Sequence, residues 1–153
     1  MKQTLYIDTS FIGGYYDIEF EEFTKPLIDR IRNKEFNILY SSVTEEELQN
    51  APEKVKELVR TLPSDCIEYI EVSYESTDLA MKYISEKVVG MTSFADCLHI
   101  ALATIYKADI LVSWNFKHIV NVARIRGYNS VNLKLGYTMI DIRSPREFIN
   151  HEE

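Results

Sequence analysis

The chain has 153 residues, 46% hydrophobic and 27% charged, which is the composition of an ordinary globular protein and predicts a single domain over residues 1–153. No apolar run approaches the roughly 20 residues of a membrane span, and the amino terminus has no secretory apolar segment, so we expect a cytoplasmic protein without a membrane partner. The formal net charge of −7 argues against a general electrostatic grip on nucleic acid. It does not exclude a nuclease, because metal ions held by carboxylates neutralise phosphates locally.

Strand and helix signals alternate in the first half of the chain. The pattern predicts a buried strand over residues 5–7 that stops at Asp8, a helix opened by Thr24 with Pro26, a strand over residues 37–40, a helix with Ser42 and Glu45 as a capping box, and a further helix from Pro52. Gly13 and Gly14 do not form a phosphate loop, because neither the Lys-Ser or Lys-Thr pair nor a third glycine follows them.

The second half continues the alternation. It predicts a half-exposed or edge strand over residues 67–72, a helix capped by Ser76 or Thr77 and a buried helix from Ser93. It then predicts an apolar strand over residues 109–113, a helix over residues 119–126 that stops at Gly127, a strand over residues 139–142 and a short helix capped by residues 144–147. Strands alternating with helices indicate a parallel α/β sandwich. The alternation alone does not give the strand order.

The helix within residues 92–103 is apolar on nearly every side, which is typical of a buried helix. Asp96 and His99 are its two strongly polar residues, and their spacing places them on one face. A carboxylate in such surroundings costs several kcal/mol unless cations, donors or a metal receive it. The structural alternative is that Asp96 is held by free N–H groups of the first helical turn and that His99 is a satisfied, partly buried histidine.

Four polar residues follow strands or lie in the first turns of helices: Asp8, Glu47, Asp96 and Asn115. In an open α/β fold these positions share the carboxyl edge of the sheet, where ligands bind. Among three consecutive acids we expect Glu47 to turn inward, because it adjoins Leu48. Carboxylates that converge are stable chiefly around a hard cation, and Mg²⁺ or Mn²⁺ is the natural occupant. The alternative for Asp8 is a simple capping role.

Four stretches of the chain carry a resemblance to a known family: MKQTLYIDTSFIGG, SSVTEEEL, SFADCLHIALA and LVSWNFKHIVN. In this order they resemble PIN-domain proteins, in particular VapC-like toxins of toxin–antitoxin pairs. The resemblance implies a three-layer α/β/α sandwich with a central parallel sheet, whose acidic pocket binds Mg²⁺ or Mn²⁺ and cleaves RNA. It implies that Asp8, Glu47 and Asp96 are the acids, supported by the hydroxyl residues Ser10 and Ser113.

One position departs from the family pattern. The fourth acid of the family usually stands where this chain has Asn115, in the sequence Ser113-Trp114-Asn115. An amide offers one neutral carbonyl oxygen in place of a carboxylate, so a second metal would be held less firmly. Single-metal catalysis and nucleic-acid binding without cleavage both remain open. Asp109 precedes its strand and is expected at the opposite edge of the sheet, so it does not substitute for the missing acid.

The leading hypothesis is therefore a metal-dependent endoribonuclease, a toxin restrained by an antitoxin protein. Asp8, Glu47 and Asp96 would bind the metal, and Asn115 completes the catalytic group. Lys117 or His118 would offset charge developing on the phosphate. We also expect a homodimer.

The alternative to this hypothesis is a PIN-like binding or regulatory module that has lost catalysis through Asn115. A phosphoryl-transfer enzyme of the haloacid dehalogenase type is disfavoured, because Ser10 stands where such enzymes carry their second Asp. Tyr15 and Tyr16 come shortly after Asp8 in the chain, and two interpretations of them are open. They stack on unpaired bases beside the sheet edge that carries Asp8, or they pack in the core or at a subunit interface.

Overall fold

The computed structural model describes residues 2–148 of the chain. At its centre is a sheet of five parallel strands: β1 (Gln3–Ile7), β2 (Phe36–Ser41), β3 (Ile67–Ile70), β4 (Ile110–Val112) and β5 (Asp141–Arg143). The strands are ordered β3-β2-β1-β4-β5, and each neighbouring pair is parallel. The carboxyl ends of all strands therefore meet at one edge of the sheet, with β1 in the middle.

Helices cover both faces of this sheet. They are α1 (Thr9–Gly13), α2 (Glu21–Arg32), α3 (Ser42–Leu48), α4 (Glu53–Arg60), α5 (Tyr74–Ser85), α6 (Phe94–Ile105) and α7 (Val122–Lys134). Successive residues of a strand point to opposite faces, so Leu5 and Ile7 pack with α1, α2 and α4, whereas Tyr6 packs with α5, α6 and α7. The predicted three-layer α/β/α sandwich with a central parallel sheet is confirmed.

The five predicted strands are all present, with ends displaced by no more than two residues. The strand predicted at an edge is β3, at one end of the sheet. Asp109 lies at the amino end of β4, where its carboxylate accepts a hydrogen bond from the Thr4 N–H at 2.7 Å. The expectation that Asp109 belongs to the edge opposite Asp8 is confirmed.

The predicted starts of α2, α3 and α5 were wrong. α2 begins at Glu21 and contains Pro26 in its interior; its start carries two acids, which the helix dipole favours. Thr24 is not a cap, because its hydroxyl donates to the Phe20 carbonyl of the same helix. The cap of α3 is Ser41 rather than Ser42. α5 is capped by Ser73, which forms a capping box with Ser76, three residues earlier than predicted.

The predicted end of the helix at Gly127 was also wrong. α7 begins at Val122, capped by Asn121, and continues through Gly127 to Lys134. A Cβ atom at position 127 would lie 2.6 Å from Cγ1 of Val88. Glycine is therefore used here for close packing against the segment after α5, and not as a helix stop. No helix within residues 2–148 is long and apolar enough to cross a membrane.

Candidate active site

Asp8 leaves β1 at the carboxyl edge and is almost fully buried, with 3% of its surface exposed. It caps α1, because its Oδ1 accepts from the Phe11 N–H at 2.9 Å. Its Oδ2 accepts from the Ser113 hydroxyl at 2.6 Å, and the Ser10 hydroxyl lies 2.9 Å and 3.0 Å from the two oxygens. The capping role and the place in the acid pocket are thus combined in one side chain.

The Ser10 and Ser113 hydroxyls also connect Asp8 to the segment after β4. Ser10 Oγ accepts from the Trp114 N–H, and Ser113 Oγ accepts from the Asn115 N–H, both at 2.9 Å. These bonds fix the backbone that carries Asn115 beside the end of β1. The predicted supporting role of both serines agrees with these contacts.

Asp96 is the third residue of α6 and is half-buried. Within residues 2–148 its carboxylate makes one hydrogen bond, from the Asn115 Nδ2 to Oδ1 at 3.2 Å. The Asn115 Oδ1 points away, accepting from the backbone N–H groups of Lys117 at 3.2 Å and His118 at 3.0 Å. Because backbone N–H groups only donate, they fix which amide atom is the oxygen.

The orientation of Asn115 corrects the expectation that its carbonyl oxygen would face the pocket. The pocket receives an N–H donor from this residue, and its oxygen is already occupied by two backbone donors. An N–H group repels a cation. Asn115 therefore donates a hydrogen bond to Asp96 at the position where an acid would act as a metal ligand. It offers no oxygen to a second metal.

Glu47 lies in the last turns of α3, with 38% of its side chain exposed. Its Oε1 accepts from the Thr9 hydroxyl at 2.7 Å and lies 2.6 Å from Nε2 of His99. The side chain thus reaches towards α6, in agreement with its predicted inward direction, although it stays at the rim of the pocket.

His99 is 2% exposed and joins Glu47 to the interior of the protein. Its Nδ1 lies 2.6 Å from the Tyr6 hydroxyl, which in turn lies 2.6 Å from the Ser41 hydroxyl. An ionised Glu47 carboxylate has no proton to give, so Nε2 must donate to it. His99 is a satisfied buried histidine, as the structural alternative predicted, but it serves the acid pocket as well as the core.

Burial raises the pKa of Asp8 above its ordinary value, and the nearby His99, the Ser113 and Ser10 hydroxyls and the Phe11 N–H offset only part of that rise. Burial also raises the pKa of Asp96, although His99 and His118 act in the opposite direction. The charges of Glu47 and Asp8 add to the rise at Asp96. Two carboxylates are therefore held where ionisation is disfavoured.

The environment of Glu47 has the opposite result. Burial again raises its pKa, but the hydrogen bond and charge of His99 and the hydrogen bond of Thr9 outweigh burial, and the pKa of Glu47 is lowered. Lys117 is exposed at the rim, and His118 is half-buried near Asp96. Its Nδ1 and the Ser93 Oγ are buried and have no hydrogen-bond partner within residues 2–148.

The fit of these residues to a divalent cation follows from their chemistry. Among residues 2–148 no group of three or more His, Cys, Asp or Glu side chains is placed so that it could hold a metal ion. The buried Asp8 and the half-buried Asp96 nevertheless supply two carboxylates without an ion-pair partner in that range. Mg²⁺ typically uses one or two carboxylates and keeps several waters, so the pair fits such an ion, whereas the set does not fit an all-protein cage.

Two contributors were not singled out as site residues from the sequence. From its sequence Thr9 fits a turn or capping residue after the first strand, yet its hydroxyl donates to Glu47. Tyr6 lies in the strand, and its hydroxyl meets His99 from 93 positions away. A signal existed for Thr9, because it directly follows Asp8, but none existed for Tyr6.

Comparison with solved structures finds the same fold in two toxins. VapBC2 from Rickettsia felis, solved bound to a DNA fragment from the promoter, is 16% identical with a TM-score of 0.59, over 93% of this chain and 98% of that chain. VapC20 from Mycobacterium tuberculosis, a Sarcin-Ricin loop cleaving toxin, is 13% identical with a TM-score of 0.57, over 74% of this chain and 91% of that chain. No family model and no curated protein matches the chain. The predicted PIN-like fold is confirmed by these two likenesses.

Proposed function

We propose that the protein is a metal-dependent endoribonuclease whose acid pocket is formed by Asp8, Asp96 and Glu47. The observation that carries this proposal is the buried Asp8 together with the half-buried Asp96 at the carboxyl edge of the sheet, since burial raises the pKa of both carboxyls. Such a pair destabilises the empty protein and is relieved by a bound cation. The fold shared with two VapC toxins supports the same reaction class.

Each side chain then has a task. Asp8 and Asp96 would hold Mg²⁺ or Mn²⁺ together with water, and Glu47 would contribute directly or through water. The ion supplies polarisation of the phosphodiester and lowers the pKa of the attacking water. Ser10 and Ser113 orient Asp8, and the Asn115 amide orients Asp96. Lys117 or His118 would offset the charge that develops on the phosphate.

The proposed biological setting is that of a toxin restrained by an antitoxin. The Rickettsia felis structure contains a VapBC pair bound to promoter DNA, which supports a VapB-like antitoxin as the partner of this chain. The Mycobacterium tuberculosis structure is named for cleavage of the Sarcin-Ricin loop, which supports RNA as the substrate class. A homodimer is part of the same proposal.

The experiment is a cleavage assay on RNA with Mn²⁺ or Mg²⁺, comparing the wild-type protein with Asp96→Asn. The substitution preserves the shape of the side chain and its contact with Asn115 but removes the charge. We expect cleavage to fall by at least about 100-fold, the scale at which an essential electrostatic group acts, together with loss of Mn²⁺ binding in titration calorimetry. Unchanged cleavage in the variant would refute the proposal.

A specific observation favours a second candidate, a nucleic-acid-binding module without catalysis. Asn115 gives the pocket an N–H donor where an acid would give an oxygen. Asn115→Asp distinguishes the two candidates. One oxygen of the new carboxylate can keep the hydrogen bonds from the Lys117 and His118 N–H groups, while the other oxygen faces Asp96. The binding-module candidate predicts that wild-type protein cleaves nothing and that the variant gains metal-dependent cleavage. The endoribonuclease candidate predicts measurable cleavage by the wild-type protein.

A further inference from the structure

A cleft of about 360 Å³ adjoins the acid pocket on the side of Glu47. Its walls come from α1, the turn after it, the end of α3 and the start of α4, and include Thr9, Gly13, Tyr16, Leu48, Pro52 and Lys54. Thr9 belongs to both features, because it lines the cleft and its hydroxyl donates to Glu47 at 2.7 Å. The cleft therefore lies one hydrogen bond away from Glu47, although none of Asp8, Glu47 and Asp96 lines it.

The two neighbouring tyrosines have different environments. Tyr15 is partly buried and packs against the core under α1 and α2, with Lys25 and Arg32 over its ring. Tyr16 is 39% exposed and lines the cleft, with the edge-on contact of Tyr15 holding its ring at a centroid distance of 4.9 Å. Packing therefore explains Tyr15 but leaves Tyr16 partly exposed in the cleft.

Lys54 lies over the Tyr16 ring, with Nζ 4.8 Å from the ring centroid. An exposed cation–π contact is worth roughly 0.5–1 kcal/mol, whereas a nucleobase stacked on an aromatic side chain is worth roughly 1–3 kcal/mol. On these magnitudes a stacked base would outweigh the contact with Lys54 and would leave the ammonium group free to pair with a phosphate. The carboxylate of Asp17, which also lines the cleft, is engaged by the Glu19 N–H at 2.8 Å.

We propose that this cleft binds one unpaired nucleotide of an RNA strand, with the base stacked on Tyr16 and the phosphate on Lys54. The proposal rests on the proposed nuclease function, since it names the substrate class of the same site as single-stranded RNA. A base within a duplex has no free face for an aromatic ring, so paired RNA is excluded from the cleft. Such a subsite would set the distance between a recognised base and the phosphodiester that is cut.

The test is the affinity of fluorescein-labelled octauridylate, measured by fluorescence anisotropy in EDTA so that cleavage does not interfere. Tyr16→Ala should weaken binding by about 5- to 150-fold, the equivalent of one stacked base, whereas Tyr16→Phe should keep the wild-type affinity. Tyr106→Ala is the matched control, because Tyr106 is 41% exposed but follows α6 at the opposite end of the sheet. Lys54→Ala should reduce the slope of log affinity against log salt by about 0.7.

A second variant fills the cleft without removing any contact. Gly13 has helical φ of −62°, and a Cβ atom there would meet no described atom within 4 Å, so the backbone and the first side-chain atom of Gly13→Leu are compatible with the fold. Thermal unfolding should show it at least as stable as wild type, since glycine weakens a helix, while octauridylate affinity falls as in Tyr16→Ala. A blunt RNA duplex should bind all these proteins equally.

The outcomes separate this proposal from the nuclease proposal. Wild-type affinity for octauridylate in both Tyr16→Ala and Gly13→Leu would overturn the subsite, as would failure of the wild-type protein to bind octauridylate at all. If binding depends on Tyr16 while Mn²⁺ produces no cleavage, the nuclease proposal fails and the subsite stands. If RNA is cleaved with the same KM by wild type and Tyr16→Ala, the subsite alone fails.

Discussion

Glu47 in α3 and Asp96 in α6 are both acids of the proposed pocket, but their pKa values are shifted in opposite directions. Glu47 receives hydrogen bonds from Thr9 and His99, and its pKa is lowered. Asp96 receives one amide hydrogen bond from Asn115, at 3.2 Å, and its pKa is raised by burial. The Glu47 carboxylate thus has a histidine partner for its negative charge, whereas the Asp96 carboxylate has only the neutral amide of Asn115.

This difference indicates where a bound cation would stabilise the protein most, namely near Asp8 and Asp96 and not near Glu47. A cation near Glu47 competes with the His99 donor, which already stabilises the carboxylate. A cation near Asp8 and Asp96 relieves both the burial of two charges and the repulsion between them. The metal should therefore depend on the aspartates more than on Glu47.

The largest expected effect is on stability in the presence of metal. At a concentration 100 times the measured Kd, Mn²⁺ should stabilise the wild-type protein by about 2.7 kcal/mol, measured by urea unfolding with and without the ion. Asp96→Asn should abolish this gain because the charge on the poorly satisfied side is removed. Glu47→Gln should keep most of it, because His99 already satisfies that side.

The matched amide substitutions make this comparison decisive. Each removes one charge and keeps the size of its side chain, so a difference between them reflects the position of the ion. Equal loss of the Mn²⁺ effect in both variants would show that Glu47 binds the ion as strongly as the aspartates. The proposed asymmetry of the pocket would then be wrong.

The fold was largely predictable from local signals. Period-2 and buried strand patterns located all five strands, and their alternation with helices gave the parallel sandwich. Local signals failed where a distant residue decides the outcome. Gly127 has the local signature of a helix stop, yet it lies within α7. A glycine is needed there because a Cβ atom would collide with Val88. The order β3-β2-β1-β4-β5 depends on such long-range packing and has no local signature.

The sequence predicted the position of the acids at one edge and the contacts of Ser10 and Ser113 with Asp8, but not the partners of Glu47 or the direction of the Asn115 amide. Asp8, Asp96 and Asn115 were expected at one edge because parallel strands end together, and hydrogen bonds through Ser113 and Asn115 now connect them. The direction of the Asn115 amide is set by two backbone N–H groups in the following turn. Residue identity alone gives no information about such an orientation, which explains why its oxygen was expected in the pocket.

A smaller effect tests the buried chain of hydrogen bonds behind Glu47. Tyr6→Phe removes the hydroxyl that meets Ser41 and His99, and His99→Phe removes the bonds to Tyr6 and Glu47. At about 1 kcal/mol per net hydrogen bond, each variant should lose about 2 kcal/mol of unfolding free energy. The double variant should lose about 3 kcal/mol, since the Tyr6–His99 bond is counted once.

The coupling of about 1 kcal/mol in this double-mutant cycle is the measured quantity. Urea unfolding at neutral pH without metal gives all four free energies. Strict additivity of the two single losses would show that Tyr6 and His99 act independently. In that case His99 would satisfy Glu47 without support from the core, and the contrast with Asp96 would rest on the Glu47 contact alone.

The smallest effect is a difference in sign between two isosteric substitutions without metal. The folded-state pKa of Asp96 is raised, so its ionisation destabilises the fold as pH rises, and Asp96→Asn should be more stable than wild type near neutral pH. The folded-state pKa of Glu47 is lowered, so its stabilisation is present above the unfolded pKa and is lost as pH falls through the folded pKa. Glu47→Gln should therefore be less stable near neutral pH, by about 1 kcal/mol or less for a half-exposed pair.

Urea unfolding between about pH 7 and pH 3 should show both differences shrinking as the carboxyls become protonated. The same sign in both variants would mean that the two acids share one environment, and that His99 does not set Glu47 apart.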